Sequence, residues 1–265
     1  MSAPDEIKVP FISKAQLERR AHRTLAYFCK SCLEKPCLTP LAEICNRLRK
    51  EFEFQFNFNQ DLGLRGGNKV LGRIYFSIPL IAIDKSVDPG GPIWRFTMAH
   101  EIGHFVLHRK LFLKSQSTPN EDGLIDDRRT LLPLDRVPKS PKDFLEYQAN
   151  QYAAALLMPA PTVRMLIMQV QEEIGLSPSR RGYIHLDSQP QNQADFRTIM
   201  AQMRLRYQTS YTACKIRLKE LGILQEPFEA KHEEIKQISK VIAPIISAVG
   251  NNLKSTNLNS PEDSE

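Results

Sequence analysis

No window of the 265 residues reaches the roughly 18 to 20 uninterrupted apolar residues that a membrane-spanning helix requires. A membrane partner is therefore not expected. The opening MSAPDEIKVPF has no basic stretch leading into an apolar one, as a secretory signal would, and the expected compartment is the cytoplasm. Cysteine is scarce and odd in number, five in all. In a reducing compartment that argues against a disulfide framework and leaves free thiols or metal ligation. Excess charge is also small. The 36 Lys and Arg exceed the 30 Asp and Glu by six, which favours acidic partners but falls short of a protein that coats nucleic acid. Hydrophobic residues, at 42%, and 13 Phe with 7 Tyr supply a core. That excludes disordered, collagenous and disulfide-dense classes. The length suits one catalytic-sized domain with a smaller appendage.

Residues 13 to 33 open with a Ser suited to cap a helix, and Leu17, Ala21, Leu25 and Phe28 then recur at steps of three or four. A second helix is predicted after Thr39-Pro40, on Leu41, Ile44, Cys45 and Leu48. In EFEFQFNFN the rings of Phe52, Phe54, Phe56 and Phe58 alternate with polar residues, the pattern of a strand with one buried face. A turn at Arg65-Gly66-Gly67-Asn68 and strand-like runs at 72–77 and 79–83 predict a small antiparallel sheet. An apolar helix follows from Ile93 to about Leu111. Residues 112–142 read as a long surface excursion. Helices resume at 143–158 and 161–174. A loop rich in Ser, Pro, Arg and Gln at 176–194 reads as a linker, two short helices at 195–206 and 210–221 end at a capping Gly222, and 232–249 suits one more helix. The polar tail from 251 reads as unstructured.

The chemistry lies in His100-Glu101-Ile102-Gly103-His104, an H-E-x-x-H sequence on a predicted helix. Residues 100 and 104 stand one turn apart on one face, so both imidazoles can converge on an ion at about 2.0 to 2.1 Å. Glu101, rotated by about 100°, falls beside the ion, where a general base can reach a water without ligating the metal. The plainer alternative is two half-buried histidines and a solvated Glu. Three adjacent polar residues on an otherwise apolar helix favour the metal reading.

A catalytic zinc site needs a third protein ligand and one position left over. Six residues beyond His104 stands Lys110, and His108 lies a further full turn along the helix, too far for one ion to join all three. Glu146, on the next strong helix and sharing a face with Asn150, is the better candidate. Asn150 can then hold a histidine's other ring nitrogen. Glu121, Asp122, Asp126 and Asp127 are alternatives in a polar, loop-like setting less able to hold a rigid ligand. No oxyanion donor stands out among His108, Tyr147, Tyr152, Tyr183 and His185.

The runs RFTMAHEIGHFVLH (95–108) and EYQANQYAAALLMP (146–159) together resemble the paired motifs of the ImmA/IrrE family of metalloendopeptidases, over about residues 10–175. Tyr152 stands where Phe is usual and Ala155 where an acidic residue often lies. The resemblance implies that His100, His104 and Glu146 bind the metal, zinc or manganese, and that Glu101 is the catalytic base. It also implies an intracellular endopeptidase that cuts a helix-turn-helix repressor and so derepresses phage, mobile-element or stress genes. Peptide substrates are expected to add as a strand to a sheet edge near 72–83. The rival reading is a transcriptional regulator or peptide-binding scaffold with a structural metal.

Two further features stand apart. Cys29, Cys32, Cys37 and Cys45 fall within about 17 residues, a cluster that can bind zinc or sense oxidants; the helical spacing of the first two also suits buried small hydrophobes. In 195–222, Arg197, Arg204, Arg206, Lys215, Arg217 and Lys219 face only Asp195 and Glu220. The two helices there resemble the helix-turn-helix-like segment that follows the catalytic domain in the family, and DNA contact is one use for them. The expected architecture is α+β: a zincin-like domain over 1–175, a linker at 176–194, a helical module over 195–250 and a disordered tail over 251–265.

Overall fold

Ser13 opens the first helix by accepting from the Gln16 amide while the Gln16 side chain accepts from the Ser13 amide, a reciprocal box that satisfies two orphan donors. The computed structural model describes residues 8–114, 123–127 and 138–226. The helix predicted at 232–249 and the tail from 251 lie outside the described residues. Helix α1 (Lys14–Phe28) buries Leu17, Ala21 and Leu25, the stripe its periodicity predicts. The short α2 (Ser31–Glu34) and α3 (Leu41–Phe52) follow. Helix α3 runs four residues past the predicted Leu48, and Glu53, with φ 54°, turns the chain into strand β1 (Gln55–Gln60). Phe52 is thus helical, yet its ring meets Phe105, as does Phe54, and Phe58 stands against Trp94.

Strand β2 (Leu64–Arg65) and β3 (Asn68–Tyr75) form a hairpin through Gly66 and Gly67, both at positive φ, as a tight two-residue hairpin loop requires. Strand β4 (Leu80–Asp84) pairs antiparallel with β3 but parallel with β1, so the sheet is mixed, not antiparallel as predicted. The hairpin lies between β1 and β4 in sequence and leaves the chain running opposite to β1, and the turn from β3 into β4 restores β1's direction. Alternating phenylalanines report a face and carry no information about direction. The order is β1-β4-β3-β2, and β5 (Gly123–Asp127) also pairs with β3, from inside the predicted excursion. The expected edge at 72–83 is therefore interior: β4 covers one side of β3, and β2 and β5 the other.

Helix α4 (Pro92–Lys114) packs on β3 and β4 and, on its other side, on α5 (Pro141–Leu157), which also meets α1. Helix α6 (Ala160–Glu173) follows at a 50° bend. Among the described residues no single helix is long and apolar enough to cross a membrane. Where a linker is expected, the chain makes a 3-10 turn (Pro178–Arg180), strand β6 (Ile184–His185) and the first residues of α7 (Pro190–Tyr207). Helix α8 (Tyr211–Glu220) and β7 (Leu224–Gln225) follow, β7 running parallel to β6. Gly222, at φ 66°, caps α8 as predicted. Phe196, Ile199, Met203, Tyr207 and Leu218 enter the same buried cluster as Ile102 and Leu156. Arg217, counted among the basic face, is instead buried between α8, α1 and the end of α5.

Candidate metal centre

Helix α4 places His100, Glu101, His104 and His108 on its inner surface, none with any exposed area. Burying such groups is costly unless each meets a polar partner. Helix α5 supplies Glu146, Gln148 and Asn150, all buried. Gly103 lets the two helices approach. A β-carbon there would stand 3.0 Å from the Tyr152 ring and 3.3 Å from the Ala149 carbonyl. On the sheet side Gly72 does the same for Glu101, since a β-carbon at 72 would collide with its carboxylate and with the Thr97 methyl.

The hydrogen bonds determine which nitrogen of each ring carries a proton. The Pro10 carbonyl can only accept, so the Gln148 amide nitrogen, 2.8 Å away, donates to it, and the Gln148 oxygen faces His108 Nε2 at 3.0 Å. His108 Nε2 is thus the protonated nitrogen. Burial, and next the neighbouring His104, hold the His108 imidazole down at about 3, so the ring is neutral and its Nδ1 is an acceptor. His104 Nδ1, 2.9 Å from it, must donate. His100 Nδ1 faces the Asn150 side-chain oxygen at 2.8 Å, and since that oxygen can only accept, the ring nitrogen donates.

In their neutral forms both rings then turn an Nε2 lone pair inward, and these atoms face each other at 2.8 Å, with a Glu146 carboxylate oxygen 3.4 Å from one and 3.6 Å from the other. Two acceptor nitrogens so placed repel unless positive charge lies between them. Ligand atoms about 2.1 Å from a tetrahedral ion stand roughly 3.4 Å apart; both carboxylate distances are close to that, and the nitrogen pair is tighter. Two neutral imidazoles and a carboxylate are a donor set suited to zinc or manganese.

The structure thus brings together the three residues expected to share an ion and places Glu101 beside them on α4. Asn150 sits on a histidine's outer nitrogen, as the spacing suggests. Sequence reasoning missed the part played by His108 and Gln148; the strict four-residue stripe of His100, His104 and His108 was the available signal. Of the other residues considered, Tyr152 donates to Thr24 Oγ1 at 2.7 Å and Tyr183 and His185 are exposed. Tyr147 has its phenol pushed up by burial and by Glu220. Glu121 and Asp122 lie outside the described residues.

A search of curated proteins finds no match to the chain. Residues 65–174, which carry both motif helices and strands β3 to β5, match peptidase family M78, described as the IrrE N-terminal-like domain. Over that segment the paired motifs and the match agree: residues 65–174 are similar to the IrrE N-terminal-like domain of the ImmA/IrrE peptidases.

Proposed function

We propose that the protein is a metal-dependent endopeptidase in which His100, His104 and Glu146 hold a divalent ion, zinc or manganese, and Glu101 is the general base. The observation that carries this reading is the convergence of two histidine lone pairs and a carboxylate on one buried point. A divalent ion held there would polarise a peptide carbonyl and lower the pKa of a water toward about 7. Glu101, one residue along α4 from His100, would accept a proton from the attacking water and pass it to the leaving amine. Asn150 and the His108–Gln148 pair keep both rings turned with Nε2 inward. Gly72 leaves room for the Glu101 carboxylate against β3.

The substrate we propose, following the family resemblance, is a helix-turn-helix repressor whose cleavage releases the genes it silences. The test is to incubate the zinc- or manganese-loaded chain with such a repressor and map the fragments by mass. Glu101→Gln should retain its metal and lose cleavage by about 10²- to 10⁴-fold. Retained turnover would remove Glu101 from the base role, and repressor binding without any cleavage would favour the scaffold reading.

A further inference from the structure

Away from the metal centre, three thiols meet where α1 gives way to α2. Cys29 is the residue that caps α1, Cys32 lies in α2, and Cys37 follows on the loop to α3. Cys32 Sγ is 3.1 Å from Cys29 Sγ, and Cys37 Sγ is 3.4 Å from Cys32 Sγ. All are free thiols. We infer that they form a peroxide-reactive site in which Cys29 attacks the oxidant and Cys32 closes a disulfide onto it.

The three sulfurs are not equivalent. Cys32 is buried, whereas Cys29 and Cys37 are both partly open to solvent; of these two, Cys29 is the one whose sulfur accepts from Cys32 and lies beside the Ser31 hydroxyl. Hydrogen bonds run toward Cys29: Cys37 donates to Cys32, Cys32 donates to Cys29, and the Ser31 hydroxyl lies 3.3 Å from the Cys29 sulfur. Burial penalises the Cys29 thiolate. The Ser31, Cys32 thiol and Cys32 amide contacts outweigh that and set its pKa below the ordinary thiol value. Burial pushes the Cys32 thiol the other way. The backbone between them is already folded back, the Cys32 amide donating to the Cys29 carbonyl at 3.1 Å. A disulfide of about 2.05 Å therefore needs the sulfurs to close by roughly 1 Å. The cluster is also pinned: Thr39, two residues past Cys37, donates to the Leu156 carbonyl and accepts from Arg95 through its own.

The chemistry balances with a hydroperoxide as oxidant. The Cys29 thiolate attacks one peroxide oxygen, the O–O bond breaks, and hydroxide leaves with a proton as water, giving a sulfenic acid. The Cys32 sulfur then attacks the Cys29 sulfur, the S–O bond breaks, and the Cys32 proton leaves with that oxygen as a second water. Two thiols and one hydrogen peroxide become one disulfide and two waters.

The test treats the full-length reduced chain with hydrogen peroxide, alkylates what remains free, and digests with trypsin. Cleavage after Lys30 separates Cys29 from Cys32, Cys37 and Cys45, so a link is visible as joined peptides and fragmentation locates it. The Cys29–Cys32 link should form at least about tenfold faster than Cys45 or Cys214 is oxidised. Those two are buried thiols with raised pKa values, Cys45 at about 12. Dithiothreitol should reverse the link. A Cys32→Ser/Cys37→Ser variant should accumulate a Cys29 sulfenic acid that dimedone captures. The proposal fails if Cys29 reacts no faster than Cys45 and Cys214, or if it ends as sulfinic acid while Cys32 remains alkylatable. A link that forms between two chains in a concentration-dependent way would also overturn it.

Discussion

Two buried polar clusters join the helices of this protein, and they are built on opposite rules. In the first, Arg217 of α8 donates to both Glu18 oxygens at 2.7 and 2.9 Å and to the Met158 carbonyl at 2.9 Å, while Glu18 also accepts from the Ala160 amide. Donors meet acceptors, opposite charges meet, and nothing more is required. In the second, at the α4–α5 contact, protons are directed outward onto Asn150, His108 and Gln148, so that acceptors converge at the centre. A cluster that closes on itself reads as architecture. One that gathers acceptors around a point reads as a binding site for a cation.

The largest effect should come from removing an acceptor at that point. Glu146→Ala should strip the metal from the purified chain, measured as equivalents per chain by elemental analysis, and metal content equal to the parent's would break the contrast between the clusters. Arg217→Ala should do the reverse. It leaves Glu18 facing the core without its guanidinium and costs about 3 kcal/mol in urea unfolding. That is the low end for a broken buried pair, because 22% of the Glu18 side chain stays exposed. Metal content should not change.

Acid separates the clusters again. Burial alone would raise the Glu18 pKa, but hydrogen bonds from His22, Arg217 and the Ala160 amide bring it down to about 2. Because the folded value is depressed, its stabilisation is present above the ordinary carboxylate range and is lost as pH falls toward about 2. The full span amounts to roughly 3 kcal/mol. Unfolding midpoints taken between pH 6 and pH 3 should therefore drop, and the drop should be shallower in Arg217→Ala. An identical slope in both proteins would place the acid sensitivity elsewhere.

The second cluster was far more legible in the sequence than the first. His100, Glu101 and His104 sit at helical offsets that define one face, and Glu146 and Asn150 share a face by the same arithmetic, so local spacing carried most of the site. The Glu18–Arg217 pair spans almost the whole described chain, and no local pattern could join them; Arg217 read instead as one more charge on a basic surface. The same limit explains the remaining differences. Alternating phenylalanines located β1 but could not show that it runs parallel to β4. The polar composition of 112–142 hid β5, because a short strand added to β3 draws its backbone partners from elsewhere in the chain. A Pro- and Ser-rich stretch at 176–194 looked like a linker although Ile184 is buried in the common core.

The smallest effect tests whether proton direction, rather than ligand identity alone, makes the second cluster a site. Gln148 holds His108 in one tautomer because its own amide is anchored to the Pro10 carbonyl. In Gln148→Ala that constraint is gone. A neutral His108 can then present its N–H at Nδ1, toward His104 Nδ1. The His104 proton would shift to Nε2 and occupy the lone pair meant for the metal. The fraction of chains with the right tautomer falls, and affinity falls with it, by about ten- to a hundredfold. Competition against a chromophoric zinc chelator measures this directly. His22→Ala, which trims the closed cluster, should bind zinc as the parent does. Unchanged affinity in Gln148→Ala would mean that His104 keeps its tautomer without help from α5, and the relay running back to Pro10 would lose its role.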